Sequence, residues 1–241
     1  MRSTRIAIGA ALVGLSIAGW GTDVHAAEAG KGFYLLGSRA HMAGIMPGPG
    51  SYFANDFYFY DGGAGNTVDF PIGDLIIDGG LDATVAIDLM TGLHVLPTQF
   101  LGGSVAIGLT VPVGWQEISA RGKIQDGGAG LSTSDDDFEF GDPVLVAALG
   151  WHHGNMHWQL GGLLNVPIGS YSENDLVNLG FNRWAFDLTG SATYLDMATG
   201  IEMSGALGFT FNGENLDTGY QSGTELHAEF AASKLFANGM S

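Results

Sequence analysis

The segment Ile201-Glu202-Met203-Ser204-Gly205-Ala206-Leu207-Gly208-Phe209-Thr210-Phe211-Asn212 decides the fold. Its odd positions are apolar or Gly and its even positions are small or polar, so alternate side chains share one greasy face. The same period of two runs through Leu101 to Val113, Met156 to Ile168 and Trp184 to Tyr194. The stretch from Leu89 to Gln116 carries no charge, but Pro97, Pro112 and its many glycines argue against a transmembrane helix. Strands are read at 52–60, 82–95, 99–114, 141–152, 156–168, 183–195, 200–211 and 223–236. Most exceed an ordinary strand and match the roughly 9–11 residues that cross a bilayer at a tilt.

The connections alternate in length. Short ones fall at Pro97-Thr98, at Gly154-Asn155 and from Asp196 to Gly200; long polar ones cover 61–81, 115–140, 169–182 and 212–222. Tight turns at one end and long loops at the other are the pattern of an outer-membrane barrel. The fold class is therefore all-β: an antiparallel transmembrane β-barrel, eight strands readable, compatible with part of a larger barrel of about 12 strands. A soluble sandwich or lipocalin-like barrel is the alternative, but its polar face would meet water and carry Lys and Glu. Here that face is mostly Gly, Ser, Ala, Thr and Asn, which suit a crowded interior.

Composition narrows the function classes. Of 241 residues 46% are apolar and 14% charged, which excludes a disordered chain. With 25 acidic residues against 8 basic ones and a net charge of −17, the chain is unsuited to a nucleic-acid backbone. The absence of cysteine removes disulfides, thiolate metal sites and Cys nucleophiles. Arg2 and Arg5, an uncharged run from Ile6 to Trp20, and Val24-His25-Ala26 read as a secretory signal peptide over 1–26, cleaved after Ala26. A single outer-membrane domain over 27–241 is expected, with outer-membrane lipid, the barrel-insertion machinery and a small-molecule solute as partners.

Spaced motifs carry a resemblance. Tyr34-Leu35-Leu36-Gly37, Gly44, Pro47-Gly48-Pro49-Gly50-Ser51-Tyr52, Gly141-Asp142-Pro143, Gly150-Trp151 and Pro167-Ile168-Gly169-Ser170-Tyr171 lead to Asn178, Gly180, Asn182 and Trp184. The densest block is Thr193-Tyr194-Leu195-Asp196, Thr199-Gly200, Glu202, Ser204, Phe211-Asn212, Asn215, Thr218, Tyr220, Ser222-Gly223, Glu225 and His227. Together they resemble the family known as the MetA pathway of phenol degradation. That resemblance implies an outer-membrane barrel moving small, aromatic or hydrophobic compounds, and supplies no catalytic residues. Its members run several strands longer, and this chain stops at Asn238-Gly239-Met240-Ser241, a hairpin-turn signal with no strand after it.

No nucleophile-elbow or zinc-helix motif is present, so no enzyme activity, cofactor or metal is expected. A two-residue turn at Gly154-Asn155 opposes Trp151 to Trp158 as a periplasmic aromatic girdle and turns His152 and His157 inward. Inward phases also place Asp88, His94, Asp187, Glu202, Glu225, His227 and Glu229 toward the lumen, with Arg183 the basic counterpart near the outer rim. The histidines can be read as a metal- or pH-sensitive gate, or as ordinary members of a polar interior; lacking a fixed ligand spacing, the second reading is preferred. Asp135-Asp136-Asp137 with Glu139 reads as a solvated acidic loop, since calcium-loop spacing is missing. The resulting function is an outer-membrane channel or transporter, with a closed structural or adhesion barrel as the alternative.

Overall fold

The computed structural model describes residues 32–236 except 73–74, 125–129, 174 and 176–177. The expected leader and the Asn238-Gly239 signal lie outside the described residues. Among the described residues nine strands form one antiparallel sheet: β1 (Gly50–Ile72), β2 (Leu75–Phe100), β3 (Gly103–Ile124), β4 (Gly130–Phe140), β5 (Val144–His153), β6 (Met156–Asn165), β7 (Ala185–Asp196), β8 (Ile201–Asn212) and β9 (Glu225–Lys234). Its order is β1-β2-β3-β5-β6-β7-β8-β9, with β4 also on β3. Strands β4 and β5 occupy successive halves of the β3 edge, interrupted at Gly141-Asp142-Pro143, so the sheet is eight strands wide as read. It curls into a half-barrel, and no helix forms among the described residues.

Three expectations are corrected. Residues 61–72 and 75–81, and 115–124 and 130–140, are paired strands and not loops: β1 pairs with β2 up to Ile72↔Leu75, and β3 with β4 up to Lys123↔Gly130. Asp135, Asp136 and Asp137 are therefore strand residues opposite Ile118, Glu117 and Gln116. The first short turn is at Leu101-Gly102 and not at Pro97-Thr98. Both of its residues have positive φ, 51° and 74°, as a tight right-twisting hairpin requires. Pro97 sits instead in the register shift between Val95 and Gln99, where a missing N–H costs no ladder bond.

The sheet is inverted relative to a soluble protein. On β7–β9 the exposed positions include Phe186, Leu207, Phe209 and Phe230, the last 72% exposed, while Asp187, Thr193, Glu202, Thr210 and His227 are buried. The buried residues share the inner, concave face, which carries the N-terminal segment 32–49 (Gly44 and Thr193 meet there). Strands β5–β9 span 10 to 12 residues, the length that crosses a bilayer at a tilt.

Candidate functional site

The N-terminal segment lies on the polar half of the inner face. Its close approach needs small residues: a Cβ on Gly44 would lie 2.7 Å from the His157 carbonyl, and one on Gly161 would lie 2.6 Å from the Arg39 guanidinium. Gly44 N–H donates to Thr193 Oγ1 at 2.9 Å. Two carboxylates of the wall hold the segment. Glu229 accepts from the Tyr34 hydroxyl at 2.6 Å and the Arg39 N–H at 3.3 Å. Glu202 accepts from the Met42 N–H at 3.0 Å and the Ser233 hydroxyl at 2.9 Å, accepts from Ser204, and lies 3.3 Å from His41 Nδ1. Burial first, and then the bond to Glu229, push the Tyr34 phenol well above its ordinary pKa.

Tyr34 stacks on His227 with ring centroids 3.5 Å apart. Beneath it His227 Nε2 meets Asp187 Oδ2 at 2.7 Å, and Asp187 also accepts from Thr189 at 2.5 Å and Thr210 at 2.7 Å. This satisfies the buried aspartate with three neighbours on the same sheet, as buried polar groups require.

Across from the segment the inner face changes character. A cavity of about 700 Å³ separates Met42, Ile45 and Met46 from a wall that includes Ile87, Leu89 and Val146. The connection from β6 to β7 covers part of it. Asp142, 2% exposed, accepts from Gly169 N–H at 2.8 Å, Phe181 N–H at 2.7 Å, Asn182 N–H at 3.2 Å and Asn165 Nδ2 at 2.8 Å. Glu139 accepts the Leu179 N–H at 2.6 Å. Glu139, expected beside a solvated acidic loop, is instead buried as an anchor for this connection.

The residues read from sequence separate into three groups. Asp187, Glu202, Glu225, His227 and Glu229 lie in the inner phase of β7–β9, with Glu225 accepting from Asn212 Nδ2 at 2.9 Å. His152 and His157 are paired with centroids 6.2 Å apart, and Trp151 pairs with Trp158 on the other face, where Trp158 is 40% exposed. Asp88 and His94 differ from the reading. The cavity is lined by Val85, Ile87, Leu89, Thr91 and Leu93, which puts the intervening residues on the outer face. There Asp88 aligns with Phe57 and Val113, and His94 bonds Ser51 at 2.9 Å. Arg183 is buried, 3.2 Å from Asn212 Oδ1, and a second inner cation, Arg39, was not anticipated. Among the described residues no group of three or more His, Cys, Asp or Glu is placed to hold a metal ion.

The residues that sequence reasoning missed are Asp142, Asn165, Gln116 and the N-terminal segment. The signal available for the segment was the run of small inward-phase residues, Ala148, Gly150 and Gly161, that leaves room for a covering strand of chain.

Residues 58–241 match the family model described as "Putative MetA-pathway of phenol degradation". The chain belongs to that family. No curated protein matches. Among solved structures, the chain is similar to the crystal structure of the COG4313 outer membrane channel from Pseudomonas putida F1, with a TM-score of 0.54 and 19% identity. The likeness covers 80% of this chain and 66% of that one, so the chain spans just under two thirds of the channel's length. The family member thus shares its all-β fold with an outer-membrane channel.

Proposed function

We propose that this family member is a non-enzymatic outer-membrane channel or transporter for small hydrophobic molecules, aromatic compounds among them, inserted after removal of the leader. The observation that carries the reading is the cavity of about 700 Å³ whose wall on β2 and β5 is mainly apolar (Val85, Ile87, Leu89, Leu93, Val144, Val146) although it lies inside the curl of the sheet. A water-filled pore needs a polar lining; an apolar one lowers the cost of holding a greasy solute. The greasy outer face and the strand lengths support a bilayer setting. The family's association with phenol degradation supports aromatic solutes.

The segment seated on β6–β9 favours a second reading, a closed barrel that conducts nothing. Uptake of N-phenyl-1-naphthylamine by cells expressing the chain distinguishes the two. Faster uptake than the empty vector, reduced by the cavity-filling Leu89→Trp, is expected. Uptake equal to the vector, with the protein folded in the outer membrane, refutes transport.

A further inference from the structure

The β5–β6 hairpin sets two imidazoles side by side on the inner face, at its short-turn end. The turn is Gly154-Asn155, with Gly154 at a φ of 58°, and the pair flanking it is His153↔Met156. In a two-residue hairpin the flanking pair is the hydrogen-bonded one. The next pair, His152↔His157, is therefore of the non-hydrogen-bonded kind, in which side chains approach most closely. His152 and His157 share the inner phase with Ala148 and Gln159, which line the cavity. The pair stands one inner step beyond Gln159, roughly 7 Å along the strand. The two ring centroids are 6.2 Å apart, with the planes 25° from parallel.

Neither ring makes a hydrogen bond among the described residues. The pair differs in this from the other bonded histidines: His227 meets Asp187, His41 meets Glu202 and His94 meets Ser51. Thr193, opposite His157 on β7, is taken up by the Gly44 N–H and by Ser204. His152 is exposed and His157 half-buried, so a solute can reach the site from the short-turn end. The backbone beneath is held in place, because Gly44 of the covering segment packs against the His157 carbonyl.

We propose that His152 and His157 chelate one divalent transition-metal ion of the imidazole-preferring kind, Cu²⁺, Ni²⁺ or Zn²⁺, with water in the remaining positions. The site stands whether or not the cavity conducts a solute. A metal–nitrogen bond of about 2.0–2.1 Å puts the ion roughly 3.2 Å from each ring centre, so two rings sharing it lie roughly 4.5–5.2 Å apart at right-angled to tetrahedral geometry. From 6.2 Å the closure needed is about 1 Å, which side-chain rotation on a fixed strand pair supplies. Each imidazole has a lone pair to give, since neither ring is engaged by a neighbouring donor. An excess of 25 acidic residues over 8 basic ones concentrates cations at the surface. With two protein ligands the site is an exchanging chelate and not a closed structural centre. Its bound ion cross-links β5 to β6 at the short-turn mouth of the cavity.

Titration of the full chain with CuCl₂ at pH 7.5, in lipid nanodiscs and without a polyhistidine tag, tests this by calorimetry and electron paramagnetic resonance. One ion per chain is expected, with hyperfine structure from two imidazole nitrogens, and Cu²⁺ should bind more tightly than Ni²⁺ or Zn²⁺. A tenfold excess of Ca²⁺, which prefers oxygen ligands, should not displace it. His152→Asn and His157→Asn should each weaken binding about tenfold or more, because the second ligand no longer acts at high effective concentration. His153→Asn, on the opposite face of the same hairpin, should leave it unchanged. Should a variant fail to fold, the nitrogen count of the native spectrum decides. No saturable Cu²⁺ binding, a spectrum with one nitrogen or none, displacement by Ca²⁺, or an affinity that survives both inner substitutions would each overturn the site. Loss of binding in His153→Asn to the same extent would overturn the cross-strand pairing of ligands.

Discussion

Replacing Asp142 by alanine isolates the contact that pins the β6–β7 connection over the cavity. Its carboxylate accepts four N–H bonds: Gly169 at 2.8 Å, Phe181 at 2.7 Å, Asn182 at 3.2 Å and Asn165 at 2.8 Å. Three of these donors are backbone groups that no rotamer change can re-aim. Each buried donor left unmet costs about 1–3 kcal/mol, but water entering the gap and relaxation of the connection recover part of the sum. The net loss expected for Asp142→Ala is about 3–5 kcal/mol, the range seen when one partner of a buried charged network is removed. Asp142→Asn keeps one oxygen but turns an N–H group toward facing donors, so about half of that loss is expected. Urea unfolding of the refolded chain in detergent micelles, followed by Trp fluorescence, gives the midpoint shift, and limited proteolysis over 166–182 reports whether the connection has lifted. An Asp142→Ala protein within about 0.5 kcal/mol of the parent, with an uncut connection, would refute the argument that this carboxylate holds the cover in place.

Trp151→Ala or Trp158→Ala should destabilise the inserted protein by about 1 kcal/mol, in line with cross-strand aromatic pairs, and brominated lipid should quench these two indoles when the others are replaced; quenching by acrylamide alone would contradict a girdle. Alkaline titration at 295 nm should show Tyr34 ionising later than the other tyrosines. Because its folded pKa is raised, its contribution is complete below about pH 10 and is lost as the pH climbs through the folded value, so the N-terminal segment should loosen only in strong alkali. Tyr34→Phe should abolish that late phase, and an unchanged titration would show that the hydroxyl is not held by Glu229. Outer-membrane fractions should contain heat-modifiable protein with Ala27 as its first residue; recovery in the soluble periplasm, without detergent, would exclude insertion.

Legibility in the sequence followed how each strand is solvated. On β7 and β8 one face is greasy and the other polar, and Asp187 and Glu202 could be assigned from period alone. Strand β2 defeated that rule because Ile87, Leu89 and Leu93 look greasy but line a cavity. "Polar inside" then placed Asp88 and His94 on the wrong side. The extensions 61–72 and 115–124 carry little apolar alternation: the first has three Gly and two Asp, and the second mixes charged, polar and small residues. Their strand character shows in their hairpin pairing with β2 and β4. The N-terminal segment has no period at all, since it packs through separate contacts of Tyr34, Arg39, His41 and Gly44. Asp142 and Asn165 stand 23 residues apart in the sequence with no motif joining them; only the fold brings them to 2.8 Å.

The inner surface is thus divided by chemistry, and the division explains where the N-terminal segment sits. On β7–β9 the wall offers Asp187, Glu202, His227 and Glu229, groups that must be hydrogen-bonded when buried. A stretch of irregular backbone with free N–H groups at Arg39, Met42 and Gly44 is the complementary partner, and each of these donates to that wall. The β2 wall has little to give in exchange: its inner residues are Val85, Ile87, Leu89, Leu93 and Thr91, whose hydroxyl is already bonded to Thr110 at 2.8 Å. Docking irregular backbone there would strand those N–H groups against hydrocarbon. The segment therefore covers the polar half and leaves the apolar half open. Its own apolar side chains, Met42, Ile45 and Met46, turn outward to complete the far side of the cavity. A plug that sealed the lumen by hydrophobic packing would have filled that space. This one adds Met42, Ile45 and Met46 as a second apolar wall, the arrangement that the proposed conduit for hydrophobic solutes requires.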